Sequence, residues 1–438
     1  MFGFPMTVIR LLLSSFVFVM GRAVALPFMA LYLTEHLGLN QQVIGWVLGG
    51  SIFFSTLFGL YAGYLADRMN KSLLMMLACM IVALCTALLT VAANALAALL
   101  ALICIESALT LRGISLKAML ADILPPEQRP RAFSLNYMLI NMAFSMGPLL
   151  GAWLFSIKIS APLWLAAAFS LLASQVLGFQ RNLPTAHGND SKSRPTSFRQ
   201  TLQVLKSDRR LILFTTGSIL TSFVFGRFVS GYLSQYLILS KGTQAAAQLL
   251  PYILITNAVT VVLLQYPVGK LMQQKYLFRW VSLGAMLYAV GLLGFMHAAH
   301  PLAWVVATLA FTVGEVIVIP CEYMFIDMIA PADKRGSYYG AQSLATFGAA
   351  FNPVVCGFLL AHFPTDVMFW VLISAACLGV VMYYAGTRSR GIAETVAMEV
   401  AAPVQALPDA EPVPACNPLS AASKKLANNR VKNLFPLS

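Results

Sequence analysis

Apolar residues run along this chain in long blocks, separated by short polar turns. A helix rising 1.5 Å per residue needs about 20 predominantly apolar residues to cross a bilayer. Twelve segments meet that length: 7–33, 42–65, 73–92, 95–121, 133–157, 161–180, 211–239, 246–269, 278–297, 302–329, 338–362 and 366–386. The pattern therefore predicts an all-α membrane protein of 12 transmembrane helices. The first block is too long for the apolar core of a signal peptide and lacks a small-residue cleavage site, so it reads as a span.

Composition closes off other classes. Hydrophobic residues make up 59% of the 438 residues and charged residues 10%, with a mean hydropathy of +0.77. A soluble domain has about 45–50% apolar and about 25% charged residues. A soluble enzyme, a disordered chain and a nucleic-acid-binding domain are excluded on that ground. The net charge of +13 is sorted by loop. The loops after the first, third, ninth and eleventh spans hold no Lys or Arg, and those after the fifth and seventh hold only Lys158 and Lys241. The opposite loops carry Arg68, Lys71, Arg129, Arg131, Lys270, Lys275, Arg279, Lys334 and Arg335. Basic residues collect in cytoplasmic loops, so both termini are expected in the cytoplasm.

The longest break between spans, 181–210, carries seven basic residues against two acids. It reads as a cytoplasmic linker with an amphipathic helix at Phe198–Leu205. The expected organisation is a six-helix bundle over 1–180, the linker over 181–210, a second six-helix bundle over 211–390 and a disordered tail over 391–438, rich in Ala, Val and Pro. A shift of 205 residues lays Gly21-Arg22 on Gly226-Arg227, Asp122 on Asp327, Pro126 on Pro331 and Pro148 on Pro353 without a gap. The bundles are therefore expected to be parallel repeats, an arrangement that places a substrate at their interface.

Ionisable side chains at bilayer depth cost roughly 2.5–3.5 kcal/mol on insertion scales. They are Arg22, Glu106, Arg112, Lys117, Arg227, Glu315 and Glu322, and they fall on the first and fourth span of each half. Four such helices lining one cavity would let every charge meet water or a partner. Glu315 and Glu106, near mid-span, are candidates for binding and releasing a proton. Arg22, Arg227 and Arg112 are candidates for contacting an anionic substrate group, against fixed pairing of Arg22 and Arg227 with the two carboxylates. Lys117 and Glu322, equivalent in the repeat, suit a cross-half ion pair acting as a gate, although Lys117 can instead snorkel to the interface.

Gly63-Tyr64-Leu65-Ala66-Asp67-Arg68-Met69-Asn70-Lys71 resembles the signature G-x-L-A-D-R-x-G-R/K of the major facilitator superfamily, with Asn70 in place of Gly. Both residues tolerate a left-handed turn, which is expected here. The resemblance implies that Gly63, Asp67, Arg68 and Lys71 latch the halves together on the cytoplasmic side, Asp67 capping or pairing with a helix terminus. The fifth span, with Gly147, Pro148 and Gly151, is similar to the G-x-x-x-G-P-x-x-G-G element of drug:proton antiporters, with Ala143 and Ala152 replacing the outer glycines. That branch's Arg motif on the fourth span is not reproduced, since Leu116 stands four residues after Arg112. Gly21-Arg22, Leu26-Pro27-Phe28, Phe311 to Glu315 and Asn352-Pro353 resemble an inner-membrane exporter type of enteric bacteria, which implies efflux of dipeptides or drugs.

The expected function is proton-coupled efflux of small molecules across a bacterial inner membrane by alternating access. The alternatives are a proton-coupled importer and, more remotely, a non-transporting sensor. No phosphate-cradling G-x-x-x-x-G-K-[ST] loop stands in the chain, so the proton gradient is the expected drive, with no cofactor. Seven cysteines form no C-x-x-C pair and five histidines make no metal-spacing pair, so no metal site is expected. The expected partners are the substrate and membrane lipid, with no nucleic acid, and the chain is expected to be a monomer.

Overall fold

The structure is a computed structural model that describes residues 4–39, 41–178, 197–226 and 233–389. Among the described residues all regular structure is helical. The first half comprises α1 (Met6–Ala25), α2 (Met29–Leu37), α3 (Gln41–Arg68), α4 (Lys71–Leu89), α5 (Ala95–Ile123), α6 (Arg129–Ile157) and α7 (Ala161–Gly178). A linker helix, α8 (Phe198–Ser207), follows. The second half comprises α9 (Arg209–Phe225), α10 (Leu233–Lys241), α11 (Thr243–Leu271), α12 (Leu277–His297), α13 (Pro301–Ile329), α14 (Arg335–Gln342), α15 (Thr346–His362) and α16 (Thr365–Arg388).

Eleven stretches of the described residues are long and apolar enough to cross a membrane. The seventh expected span, 211–239, is represented by α9 and α10, with 227–232 between them outside the described residues. Two expected spans are interrupted. Pro27 has no N–H and its ring crowds the preceding turn, and the chain tightens to a 3-10 turn at Leu26–Phe28 between α1 and α2. A second 3-10 turn, Ser343–Ala345, separates α14 from α15. Trp46, Leu84, Leu149 and Val354 stand exposed on outer faces, an apolar surface that suits lipid and not water.

Helices α1, α6 and α7 pack together, as do α3, α4 and α5; α9, α15 and α16, and α11, α12 and α13, do so in the second half. The halves meet through α3 on α14, α6 on α11 and α13, and α5 on α14. The α3–α14 crossing is made by glycines. A Cβ on Gly63 would stand 2.9 Å from Cα of Ser337, and one on Gly340 would stand 2.9 Å from Cα of Gly63. Gly59-x-x-x-Gly63 thus faces Gly336-x-x-x-Gly340, and only hydrogen side chains let these backbones approach so closely.

The linker helix begins with a capping box: Gln200 N–H donates to the Ser197 hydroxyl at 3.3 Å, and Ser197 N–H donates to the Gln200 side chain at 2.8 Å. Its first residue, Phe198, packs on Tyr61 and Tyr64 of α3. Asn70 does not adopt the expected left-handed turn. Its backbone is extended (φ −60°, ψ 115°), and its side chain caps α4 by accepting from Ser72 N–H at 2.9 Å and Leu73 N–H at 3.2 Å. Asn70→Ala is expected to remove about 0.5–2 kcal/mol of stability by loss of that cap. Equilibrium unfolding in mixed micelles checks this, and an unchanged stability would mean the cap contributes nothing.

Candidate functional site

Glu315 is the middle residue of α13. Its carboxylate accepts from two donors on different helices: the Tyr137 hydroxyl of α6, and Nδ2 of Asn257 on α11 at 3.1 Å. Asn257 also donates to the Thr312 hydroxyl at 3.0 Å, which fixes the amide. Tyr137 belongs to the first half of the chain and Asn257 to the second, so this carboxylate sits where the halves meet. Two donors and no acceptor suit the ionised form.

Glu106 on α5 pairs with Arg22 in the last turn of α1 at 3.1 Å. Each charge thereby avoids standing unpaired at bilayer depth. The Arg22 side chain keeps 33% of its surface exposed and Glu106 15%, so the guanidinium can still be approached. Its repeat partner, Arg227, lies outside the described residues.

Arg112 is not at this site. It is 3% exposed, donates to the Ser14 hydroxyl at 3.0 Å and lies over the Phe18 ring at 4.2 Å. At 100° per residue, position 112 points about 120° away from position 106. A helix that lines a cavity with one stripe turns its other faces into its own bundle, and Arg112 stands on one of those. In this structure the guanidinium is engaged inside the first bundle, by Ser14 and Phe18, and not on the face that carries Glu106.

Lys117 and Glu322 form no direct ion pair. Lys117 crosses to the second half but lies over the Tyr323 ring at 4.0 Å and reaches Gln342 at 3.5 Å. Glu322 turns inward, where it is hydrogen-bonded to the Thr221 hydroxyl of α9. The repeat puts the two residues at the same height, but the neighbouring Tyr323 takes the place opposite the ammonium.

At the helix ends carrying Arg68 and Lys71, hereafter the basic end, the halves are tied by charge. Asp67 accepts from Gly336 N–H at 2.5 Å, Ser337 N–H at 2.7 Å and the Ser337 hydroxyl at 2.6 Å. A first-half carboxylate therefore caps the positive end of second-half α14. Asp122 binds Lys71 at 3.0 Å and Arg335 at 2.8 Å, while Asp327 binds Arg129 at 2.6 Å. Asp122 and Asp327 are repeat equivalents, and each takes an arginine from the opposite half. Arg68 lies over the Tyr64 ring at 5.3 Å. At the other motif, a Cβ on Gly147 would stand 2.7 Å from the backbone carbon of Ala23, and one on Gly151 2.6 Å from the Phe28 ring. These residues, with Pro148 in the same helix, seat α6 closely against α1.

Sequence reasoning did not find Tyr137 and Asn257, which carry no charge and follow no motif. It also missed the crossed arginine pairs, although a signal was present: the 205-residue shift aligns Asp122 with Asp327, and basic residues follow each within eight positions.

Residues 11–347 match the family model of the Major Facilitator Superfamily. The chain is 34% identical to the Escherichia coli protein named "Uncharacterized MFS-type transporter YdeE", over 87% of this chain and 95% of that one. It is 26% identical to a Na(+), Li(+), K(+)/H(+) antiporter of Planococcus maritimus, over 75% of this chain and 83% of that one. Among solved structures it is similar to FucP, a Major Facilitator Superfamily transporter in the outward conformation, with a TM-score of 0.73 and 14% identity over 88% of this chain and 99% of that one. A latch-type loop joined to a helix N-terminus, many apolar helices and a chain-long family match have one conclusion: this is a multi-pass membrane transporter, not an enzyme, and it belongs to the major facilitator superfamily.

Proposed function

We propose that the chain is a proton-coupled efflux antiporter of the bacterial inner membrane, exporting small metabolites, dipeptides among them, or drugs by alternating access. The observation that carries this reading is Glu315, a mid-helix carboxylate whose donors, Tyr137 and Asn257, come from both halves. When the halves part, Tyr137 leaves, and a proton can take the place of its hydroxyl. Residues 1–180 and 211–390 act as the two rocking bundles around 181–210. The basic end is cytoplasmic by its Lys and Arg content, so the crossed pairs and the Asp67 cap hold the protein closed to the cytoplasm. The Planococcus relative is named for exchange of cations against protons, and the resemblance of the segment with Gly147, Pro148 and Gly151 to the antiporter element supports antiport over symport.

Substrate-dependent proton flux in proteoliposomes, over a panel of dipeptides and drugs, tests the reading. Protons should move opposite to at least one substrate. Co-directional movement would make the protein an importer, and movement without protons would remove the coupling.

Arg22 adds a substrate-class prediction. A carboxylate docking on its exposed edge should bind less well to Arg22→Ala, by about tenfold or more, because hydrogen bonds to charged groups contribute roughly 1.5–3 kcal/mol. The C-terminal amide of the same dipeptide should lose little. Glu106→Gln in the same chain removes the unpaired partner, so the comparison reads the substrate and not the fold. Equal losses for acid and amide would leave Arg22 as the partner of Glu106 alone.

A further inference from the structure

Lys117 reaches from α5 of the first half into a box built on the second. Its ammonium lies over the Tyr323 ring of α13 at 4.0 Å, stands 6.0 Å from the centre of the Tyr339 ring of α14, and reaches the side-chain oxygen of Gln342, the last residue of α14, at 3.5 Å. Phe133 of α6 meets both tyrosines edge to face, with ring centres 5.9 and 6.3 Å apart, and fixes their orientation. Tyr339 and Gln342 are buried, whereas Lys117 and Tyr323 are half-buried, so the box keeps an open side. Glu322, one residue before Tyr323, places a carboxyl close enough to act on the Lys117 charge.

An ammonium carries three N–H donors and no acceptor, and it leaves water only where its charge is met. Here two ring faces and an amide oxygen meet it. The face of an aromatic ring is negative and attracts a cation, most strongly where water is excluded, and several such faces around one ammonium make a binding site for organic cations. Nothing in this box is particular to lysine. The rings and the amide read an ammonium and the first carbons behind it, and a free amine offers the same groups. The occupant and the box also belong to different halves: Lys117 moves with α5, while Tyr323, Tyr339 and Gln342 move with α13 and α14.

We propose that Tyr323, Tyr339 and Gln342 form a binding site for the ammonium group of an organic amine, and that Lys117 is its tethered occupant in the conformation seen. The place of this site in the cycle rests on the alternating-access reading above; the box itself does not. When the basic end opens, α5 parts from α14 and draws Lys117 out. The emptied box then faces the opened cleft, where a primary ammonium takes the position that Lys117 held. On closing, Lys117 returns to the box, so a bound ammonium has to leave it before the halves meet again. The lysine thus competes with the ligand for one set of ring faces.

Calorimetric titration of the purified full chain with phenethylamine, an ammonium at neutral pH, tests this against phenethyl alcohol, an uncharged analogue of similar size. Lys117→Met removes the competitor and should bind the amine about tenfold more tightly than wild type, with the alcohol unchanged. Lys117→Gln should show the same gain and guards against a misfolded Met variant. Lys117→Arg keeps a cation in the box and should gain nothing. Tyr323→Leu added to Lys117→Met should cancel the gain, whereas Tyr323→Phe, which keeps the ring, should preserve it. Equal gains for amine and alcohol, a gain that survives Tyr323→Leu, or no gain in either neutral variant would overturn the proposal and leave Lys117 as a clasp between the halves. The titration needs no proton gradient. A gain in Lys117→Met from a chain that moves no protons in proteoliposomes would therefore uphold the box and remove the antiport reading.

Discussion

Glu315→Gln is expected to abolish accumulation of substrate driven by an imposed proton gradient. The carboxamide is the same size as the carboxyl and can still accept from Tyr137 or Asn257, so the junction of α6, α11 and α13 should survive. It cannot release a proton, so the step that couples the two gradients is missing. Binding should stay within about tenfold of wild type, the most that one net hydrogen bond of roughly 0.5–1.5 kcal/mol can move it. Substrate counterflow, which needs no net proton movement, should persist and shows that the variant is folded. Tyr137→Phe should fall between the two, because it removes one donor and leaves the acid. If Glu315→Gln vesicles pump normally, Glu315 is not the coupling group and Glu106 takes its place as the candidate.

The spans were legible because lipid imposes one rule on every outward face, and length plus hydropathy reads that rule directly. The interruptions were legible only in part. Pro27 announces the 3-10 turn at Leu26–Phe28, but the turn at Ser343–Ala345 contains no proline. The latch was readable from Asp67 because a conspicuous loop motif named it. Its receptor was not, since Gly336 and Ser337 offer backbone N–H groups that every residue except proline has. Position in the helix turn decided the charged residues. Glu106 and Lys117 are eleven residues apart, close to three full turns, and share a face, whereas Arg112 between them faces inward. A count of charges per helix cannot register that angle. The repeat aligned Lys117 with Glu322 but said nothing of Tyr323, whose ring the lysine chose. Hydroxyl and amide partners such as Tyr137, Asn257 and Thr221 are invisible to any search that looks for charge.

Gly63→Leu and Asp67→Asn are expected to open the basic end by two separate routes. Gly63 sits where α3 and α14 touch backbone to backbone, and any side chain there meets the Gly336 carbonyl and Ser337 Cα. No rotamer relieves a clash with main-chain atoms, so the helices must move apart, and the Asp67 cap is carried out of reach with them. Gly63→Leu should therefore lose transport outright. Asp67→Asn keeps the packing but trades a carboxylate that accepts three hydrogen bonds for an amide with one accepting oxygen. Losing a bond to a charged group costs roughly 1.5–3 kcal/mol, about a ten- to hundredfold shift towards the open state. The crossed pairs Asp122–Arg335 and Asp327–Arg129 remain in this variant, so closure is weakened and not abolished. Met119→Cys on α5 and Met324→Cys on α13, placed singly in a chain freed of its own cysteines, report on that end. Both positions are buried in the closed form. Their labelling by a membrane-impermeant thiol reagent applied on the side of the basic end should rise strongly in Gly63→Leu and partly in Asp67→Asn. Labelling that stays at the wild-type level in both, with transport intact, would reduce the motif to a basic turn with no part in holding the halves together.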